Sequence, residues 1–181
     1  MMDKVRLFYK DISEIVGGGG CAVIRMTDEA EQRALCVICD KPLSDQMSIR
    51  INKTPQRRKM LPEALLSVLT DRFTELEINI FGIVGGEYLV TLVDNASCKA
   101  ESIRMSDALL LQYIAKVPIY IDRELMEAQS SVYNPDSAAL SIPINTLETE
   151  RLEKELERAV EEENYRLASK LHEELQKRQK S

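Results

Sequence analysis

The C-terminal segment of this chain, residues 148–180, constrains the fold most, because its composition and apolar spacing favour helix. It contains ten Glu and eight Lys or Arg, with neither Gly nor Pro. Its apolar residues form two stripes at helical spacing: Leu152, Leu156, Ala159 and Val160, then Tyr165, Ala168, Leu171 and Leu175. Glu162, Glu163 and Asn164 lie between the stripes, where Asn tolerates helix-ending geometry. The pattern predicts a helical hairpin over residues 147–181.

Each predicted helix is short enough to be only marginally stable alone in water, so the hairpin needs a surface to pack against. That surface can be the rest of this chain, a second copy or another protein. The predicted partner-binding residues are those of the apolar stripes: Leu152, Leu156, Val160, Tyr165, Ala168, Leu171 and Leu175.

Composition limits the class of protein. The chain has 181 residues and a net charge of −6, and 44% of its residues are hydrophobic and 30% are charged. This balance suits one globular domain with a small appendage. No stretch approaches the ~20 apolar residues of a membrane span, and charges recur too early at the N-terminus for a signal peptide. We therefore expect a cytoplasmic protein that does not enter a membrane.

The rest of the chain alternates strand and helix signals, which predicts an α+β domain with a mixed sheet and packed helices. Ser44, Ser106 and Asp122 are predicted N-caps, and Pro62 suits the first turn of a helix that continues to Phe73. The predicted strands cover residues 5–15, 21–26, 34–39, 77–84, 88–93 and 119–121, and the other helices cover 44–52, 106–114 and 123–129. The predicted organisation is an α+β domain over 1–129, a turn-rich linker over 130–146 and the hairpin over 147–181.

Three features that could carry chemistry have plainer interpretations. Cys36 and Cys39 form a CxxC pair in a predicted strand, where residues three apart point to opposite faces, so packed thiols are favoured over a metal or redox site. Residues 17–20 are four glycines without the pattern of a P-loop, which favours a hairpin turn. His172, the single histidine, is expected to face solvent near Gln176.

Two charged groups remain as site candidates. The basic cluster, which we define as Lys53, Arg57, Arg58 and Lys59, could contact phosphates or form a solvated loop. Asp107 lies in the first turn of the helix that Ser106 is predicted to cap, where a carboxylate complements the helix dipole. Arg104, just before it, could pair with Asp107 or hold an anion.

The residues around this helix start resemble the bifunctional nuclease (BFN) domain family. Residues 102–111 and 115–121 are similar to that family's Arg-Pro-Ser-Asp-Ala helix and Ala-Pro-Ile-Tyr-Val strand. Residues 58–69 are similar to its Arg-Pro-Leu-Thr-His-Asp-Leu helix start, and a hairpin at 78–93 also fits. The resemblance extends over residues 4–125 and implies a BFN-like α+β fold.

The resemblance implies a nuclease site at Glu63, Arg104 and Asp107, with Mg²⁺ or Mn²⁺ as the cofactor of such an enzyme. Glu63 and Asp107 would hold the cation, and Arg104 would neutralise charge on the phosphorane. The chain departs from the family at two polar positions: Pro62 stands where the family has His, and Leu43 stands where it has Glu.

The tail resembles a UVR motif. Residues 159–173 follow that motif's Ala-Val-x-x-Glu-Asp-Phe-x-x-Ala-x-x-Leu-Arg-Asp pattern. UVR motifs mediate protein–protein contacts in nucleotide-excision-repair subunits and protease adaptors. The resemblance implies a bacterial partner-binding or regulatory protein, with homo-oligomerisation expected. The alternatives are a metal-dependent nuclease acting on DNA and RNA, and a domain that binds an anionic small molecule at the Ser106 helix start.

Overall fold

The computed structural model describes residues 3–15, 20–69, 73–136 and 141–179. They form eight strands: β1 (Lys4–Glu14), β2 (Ala22–Thr27), β3 (Arg33–Cys39), β4 (Leu76–Val84), β5 (Glu87–Asp94), β6 (Lys99–Ile103), β7 (Ile119–Asp122) and β8 (Ser131–Val132). They also form six α-helices: α1 (Lys41–Ile51), α2 (Leu61–Val68), α3 (Met105–Ala115), α4 (Arg123–Gln129), α5 (Thr149–Glu161) and α6 (Tyr165–Gln179). The predicted α+β class with a C-terminal helical pair is confirmed.

The eight strands form one mixed sheet in the order β6-β5-β4-β7-β1-β2-β3-β8. In this sheet β4 and β7 pair in parallel, and the other neighbouring pairs are antiparallel. Alternate strand residues such as Ile24, Ile78 and Ile121 are fully buried together in the main core. Helix residues from α1, α3 and α4, among them Met47 and Met126, belong to the same core. These helices therefore pack against the buried strand residues of the sheet.

The N-terminal hairpin and the CxxC strand follow the sequence patterns. The Ile15 N–H donates to the Cys21 carbonyl at 3.0 Å, and Gly20 has φ +91°, which glycine adopts without strain. The predicted glycine turn at residues 17–19 itself lies outside the described residues. Cys36 and Cys39 are both buried free thiols, and burial raises the pKa of both, that of Cys39 to about 12.

Two helix starts differ from the prediction. Asp40, rather than Ser44, caps α1: its carboxylate accepts a hydrogen bond from the Leu43 N–H at 3.0 Å, and Ser44 is buried within the helix. Helix α3 begins at Met105 with Arg104 as its N-cap and no side-chain cap, so Ser106 already lies inside the first turn. Asp122 caps α4 as predicted and accepts from Glu124 N–H at 3.0 Å.

Two strands were not predicted from the sequence. β6 is polar and largely exposed and lies at an edge beside β5. β8 lies within residues 130–146, which the sequence predicts as a linker, and pairs with Arg33 and Ala34 of β3. Farther along, the Tyr133 ring lies 5.4 Å from the Arg25 guanidinium. This segment therefore packs on the sheet, and the domain boundaries at 129 and 146 stay a prediction.

The C-terminal hairpin packs on the chain itself. Leu147, Leu152, Ala159, Ala168 and Leu171 form a second buried cluster, with Ile38 of β3, Ile142 and Ile144 packed against it. Helix α5 ends at Glu161 as predicted, but Glu163 takes the left-handed conformation (φ +55°) expected of Asn164. Asn164 instead accepts a hydrogen bond from the Leu167 N–H at 3.3 Å at the start of α6.

Arg178 fixes the end of this hairpin. Its guanidinium donates to the Asn145 carbonyl at 3.0 Å and to the Thr149 hydroxyl at 3.3 Å, and it pairs with Glu174. Gly86, in the β4–β5 turn, lies against this guanidinium: a Cβ there would be 3.2 Å from Arg178 Nη2 and 3.3 Å from the Leu147 carbonyl. The hairpin thus lies across the turn that joins β4 and β5. No helix in the described ranges is both long and apolar enough to span a membrane.

Candidate functional site

Three helices begin around one cavity of about 770 Å³. Asp40 and Leu43 line it at the start of α1, residues 104–106 at the start of α3, and Glu148, Thr149 and Arg151 at the start of α5, while the β4–β5 turn closes one side. The first N–H groups of a helix lack intrahelical partners and carry the positive end of the dipole. α3 and α5 have no side-chain cap hydrogen bond. The starts of α3 and α5 therefore offer donors suited to an anion, whereas at α1 Pro42 has no N–H and the Leu43 N–H is bonded to Asp40.

Arg104 and Asp107 form an ion pair at this cavity. Arg104 Nε donates to Asp107 Oδ2 at 2.8 Å, and Nη2 donates to Oδ1 at 3.0 Å. The side chains are 80% and 50% exposed, and the hydrogen bonds that Arg104 donates to Asp107 raise the pKa of Arg104. Because a guanidinium has five N–H donors, the Nη1 donors stay available for a ligand oxygen.

Tyr88 lines the wall of the cavity, and its hydroxyl is buried. Its side chain is about nine-tenths buried, and its hydroxyl has no hydrogen-bond partner within the described part of the chain. Burial raises the pKa of this phenol, so it stays protonated and able to donate. A buried hydroxyl without a partner is costly, but this oxygen is closed off from solvent, so it does not offer a donor to the cavity.

The cavity is not uniformly positive. Asp40, Glu87 and Glu148 line it beside Arg104 and Arg151. The Asp40 carboxylate already accepts a hydrogen bond as the N-cap of α1. With three acidic and two basic side chains in its lining, the cavity does not favour an anion through net charge, and the groups suited to hold one are the uncapped helix starts and Arg104.

The predicted catalytic residue Glu63 lies elsewhere. It is on α2, outside the lining of the cavity, and both of its oxygens contact the buried Arg50 guanidinium, at 2.8 and 2.9 Å. Glu63 and Asp107 therefore belong to two different arginine pairs. A guanidinium beside each carboxylate opposes a divalent cation, and the described residues contain no group of three or more His, Cys, Asp or Glu placed to hold a metal. Glu63 and Asp107 do not fit the Mg²⁺ or Mn²⁺ site that the family resemblance implies.

The basic cluster is also separate from the cavity. Lys53 follows α1 in a left-handed conformation (φ +51°), and Arg57, Arg58 and Lys59 lie in the 3-10 helix Pro55–Lys59 that precedes α2. None of the four lines the cavity. The single histidine, His172, is exposed, with Nε2 2.9 Å from Gln176 Nε2, as the sequence predicts.

The structure divides the predicted partner-binding residues into two groups. Leu152, Ala168 and Leu171 are buried, and Leu156 and Leu175 are partly buried against the same cluster. Val160 and Tyr165 are 52% and 68% exposed. Only these two of the seven remain open to a partner.

Sequence reasoning missed Tyr88, Asp40 and the start of α5 as parts of the site. Tyr88 follows the Gly85-Gly86 turn closely, a position that marks it as a strand residue and carries no signal for binding. The residues meet only because the sheet brings the β4–β5 turn beside α3 and because the hairpin folds back over that turn.

The sequence of the chain matches a known family model. The model of the bifunctional nuclease domain matches residues 23–134, more than half of the chain, and includes Arg104, Asp107, Tyr88 and Asp40. The matched span ends before the hairpin begins. No curated protein matches the chain at a significant level. The match establishes that this chain belongs to the bifunctional nuclease domain family.

Proposed function

We propose that this chain binds the phosphodiester backbone of single-stranded nucleic acid in the cavity where α1, α3 and α5 begin. The single observation that carries the proposal is the convergence of two uncapped helix starts, those of α3 and α5, with Arg104 on one cavity. Phosphate oxygens accept hydrogen bonds from helix N-termini and from guanidinium groups. Family membership supports nucleic acid as the source of the phosphate, because the family is described as nuclease.

Binding, rather than metal-dependent cleavage, is the function that the described residues support. Arg104 would exchange part of its pairing with Asp107 for a phosphate oxygen. Glu63 and Asp107 do not support a cleavage step that uses Mg²⁺ or Mn²⁺, because each carboxylate forms an ion pair with an arginine.

Fluorescence anisotropy with labelled single-stranded DNA and RNA tests this proposal. Arg104→Ala should weaken binding about tenfold or more, the loss expected for one charge-assisted hydrogen bond. Arg123→Ala is the matched control, since Arg123 is also an exposed arginine paired with an aspartate, Asp3, but does not line the cavity. Equal affinities of the two variants would reject the cavity as the binding site.

The same samples test the nuclease alternative. Incubation with Mg²⁺ or Mn²⁺ and electrophoresis of the labelled strands would show cleavage directly. Cleavage that is lost in Arg104→Ala and kept in Arg123→Ala would add catalysis to the proposal. Cleavage that both variants keep equally would indicate a contaminant or a site elsewhere.

A second function, protein partner binding by the C-terminal hairpin, is favoured by the exposure of Val160 and Tyr165 at its turn. We define this turn, residues 160–165, as the hairpin tip. The resemblance to a UVR motif supports the same role. A photo-crosslinking amino acid at position 165 should capture a protein, whereas the same group at the exposed Lys170, on another side of α6, should not. No adduct at 165 would remove this function.

A further inference from the structure

Helix α2 exposes an apolar face that nothing in the described chain covers. None of its residues is buried, and Leu61, Leu65 and Val68 are 69%, 45% and 81% exposed. A groove of about 180 Å³ between α2 and α3 continues this face, lined by apolar side chains that include Phe73, Leu111 and Ile114. We call this face the α2 patch. Exposed apolar surface of this kind marks an interaction site.

Cations border the α2 patch. Arg57, Arg58 and Lys59 come directly before α2, and Lys53 precedes them. No ion pair within the described residues engages any of the four. A partner that fits this surface presents apolar side chains beside acidic ones.

The hairpin tip has that chemistry. Val160 and Tyr165 are its exposed apolar side chains, and Glu161, Glu162 and Glu163 lie between them, all exposed. Glu162 is 3.5 Å from Arg158, while Glu161 and Glu163 join no ion pair among the described residues. The tip and the α2 patch of one chain are both exposed, so they do not cover each other within that chain.

We propose that the hairpin tip of one copy binds the α2 patch of a second copy, and that the two copies form a reciprocal two-fold dimer. Acidic and basic groups then face each other, and Val160 and Tyr165 enter the apolar surface around Leu65 and Val68. A two-fold axis makes the contact twice, which helps two small surfaces reach the area of a stable interface. The proposal rests on the second proposed function, because it names the partner of the hairpin tip.

Two charge-reversal variants test the pairing. Glu161→Lys/Glu163→Lys makes the tip basic, and Arg57→Glu/Arg58→Glu/Lys59→Glu makes the patch border acidic. In each variant alone, tip and patch carry the same sign of charge and repel. In a one-to-one mixture, both contacts of a heterodimer join opposite charges again.

Light scattering coupled to size exclusion should give the mass of a dimer for the wild type, of a monomer for each variant alone, and of a dimer for the mixture. Lys154→Glu/Lys170→Glu, which reverses two exposed lysines outside both surfaces, should stay dimeric. Leu65→Ser, which removes an apolar group from the patch without changing charge, should shift the wild type toward monomer.

A monomeric wild type across the micromolar range would overturn the proposal, and so would dimers that persist in both charge-reversed variants or a mixture that stays monomeric. These outcomes are distinct from failure of the nucleic-acid proposal, because oligonucleotide binding depends on Arg104 and is measured separately. A monomer whose position 165 still crosslinks another protein would keep the partner-binding function while rejecting the second copy as the partner.

Discussion

At the scale of single residues, burial separates two arginine–carboxylate pairs that look alike in the sequence. Arg50 is 3% exposed and Glu63 is 19% exposed, whereas Arg104 and Asp107 are mostly open to solvent. Exposed pairs contribute little to stability, while a buried arginine without its carboxylate is costly. Glu63 therefore stabilises the fold, and Arg104 is free to serve a ligand.

Glu63→Ala should lower the free energy of unfolding by about 3 kcal/mol, because it leaves the buried Arg50 charge without its carboxylate. Asp107→Ala, the matched change in the exposed pair, should leave the free energy of unfolding unchanged within error. Urea denaturation of both variants measures the difference. Equal losses would contradict the assignment of Glu63 to structure and Asp107 to the site.

Cys39 should make stability depend on pH in the alkaline range. Its folded pKa, about 12, lies above the ordinary value of 9.0 because the thiol is buried. The folded chain keeps this proton where the unfolded chain loses it, so the contribution is full below pH 9 and is lost as pH rises toward 12. The fall in unfolding free energy between pH 8 and pH 10 should be smaller in Cys39→Ala by about 1 kcal/mol. An identical fall in wild type and variant would contradict the buried, protonated thiol.

At the scale of elements, the close approach of the β4–β5 turn and the hairpin is the contact that shapes the cavity. Gly85 and Gly86 both have positive φ, but only Gly86 lies against Arg178 and the Leu147 carbonyl. A side chain at either position strains the turn, and a side chain at Gly86 also displaces the hairpin.

Gly86→Ala should therefore speed amide hydrogen exchange in α5 and α6, while Gly85→Ala should leave that exchange unchanged. Both variants should lose about 1–2 kcal/mol from the strained turn, with a larger loss for Gly86→Ala. Hydrogen exchange followed by mass spectrometry resolves the two helices from the turn. Faster exchange in both variants, or in neither, would contradict the contact between turn and hairpin.

Elements set by local chemistry were predictable, and those set by distant pairing were not. Asp122 caps α4 as predicted because its carboxylate bonds to N–H groups two and three residues ahead. The sequence prediction started α1 at Ser44, but the helix begins at Lys41 with Asp40 as its N-cap. Asp40 and Pro42 both suit a helix start, but they directly follow β3, and no loop marks the boundary. β6 was missed because its residues are polar and its strand conformation depends on pairing with β5.

At the scale of the whole molecule, the hairpin packs on the α+β domain and forms one wall of the cavity, so it is not only an appendage. Ile38 of β3 packs against its buried cluster, and its first residues line the cavity. The sequence indicates that the hairpin needs a surface to pack against, but it does not identify which surface that is. It could not predict the cavity, because Asp40, Tyr88, Arg104 and Glu148 are far apart in the chain and meet only in the complete fold.

Removal of residues 147–181 should lower the free energy of unfolding of the remaining chain by about 3 kcal/mol, because Ile38, Ile142 and Ile144 lose their cover. It should also weaken oligonucleotide binding, since the start of α5 is removed from the cavity. Denaturation and anisotropy on the truncated chain measure both effects. A truncated chain with full stability and full affinity would show that the hairpin is independent of the body.

The most direct test of the nucleic-acid proposal is NMR mapping of a single-stranded oligonucleotide on the isotope-labelled chain. Amide shifts should concentrate at residues 104–107 and 149–151, where the uncapped helices α3 and α5 begin, and should be absent from Arg123–Gln129. Arg104→Ala should remove most of these shifts. Shifts confined to the basic cluster, residues 53–59, would contradict the account and place nucleic-acid binding on the other surface.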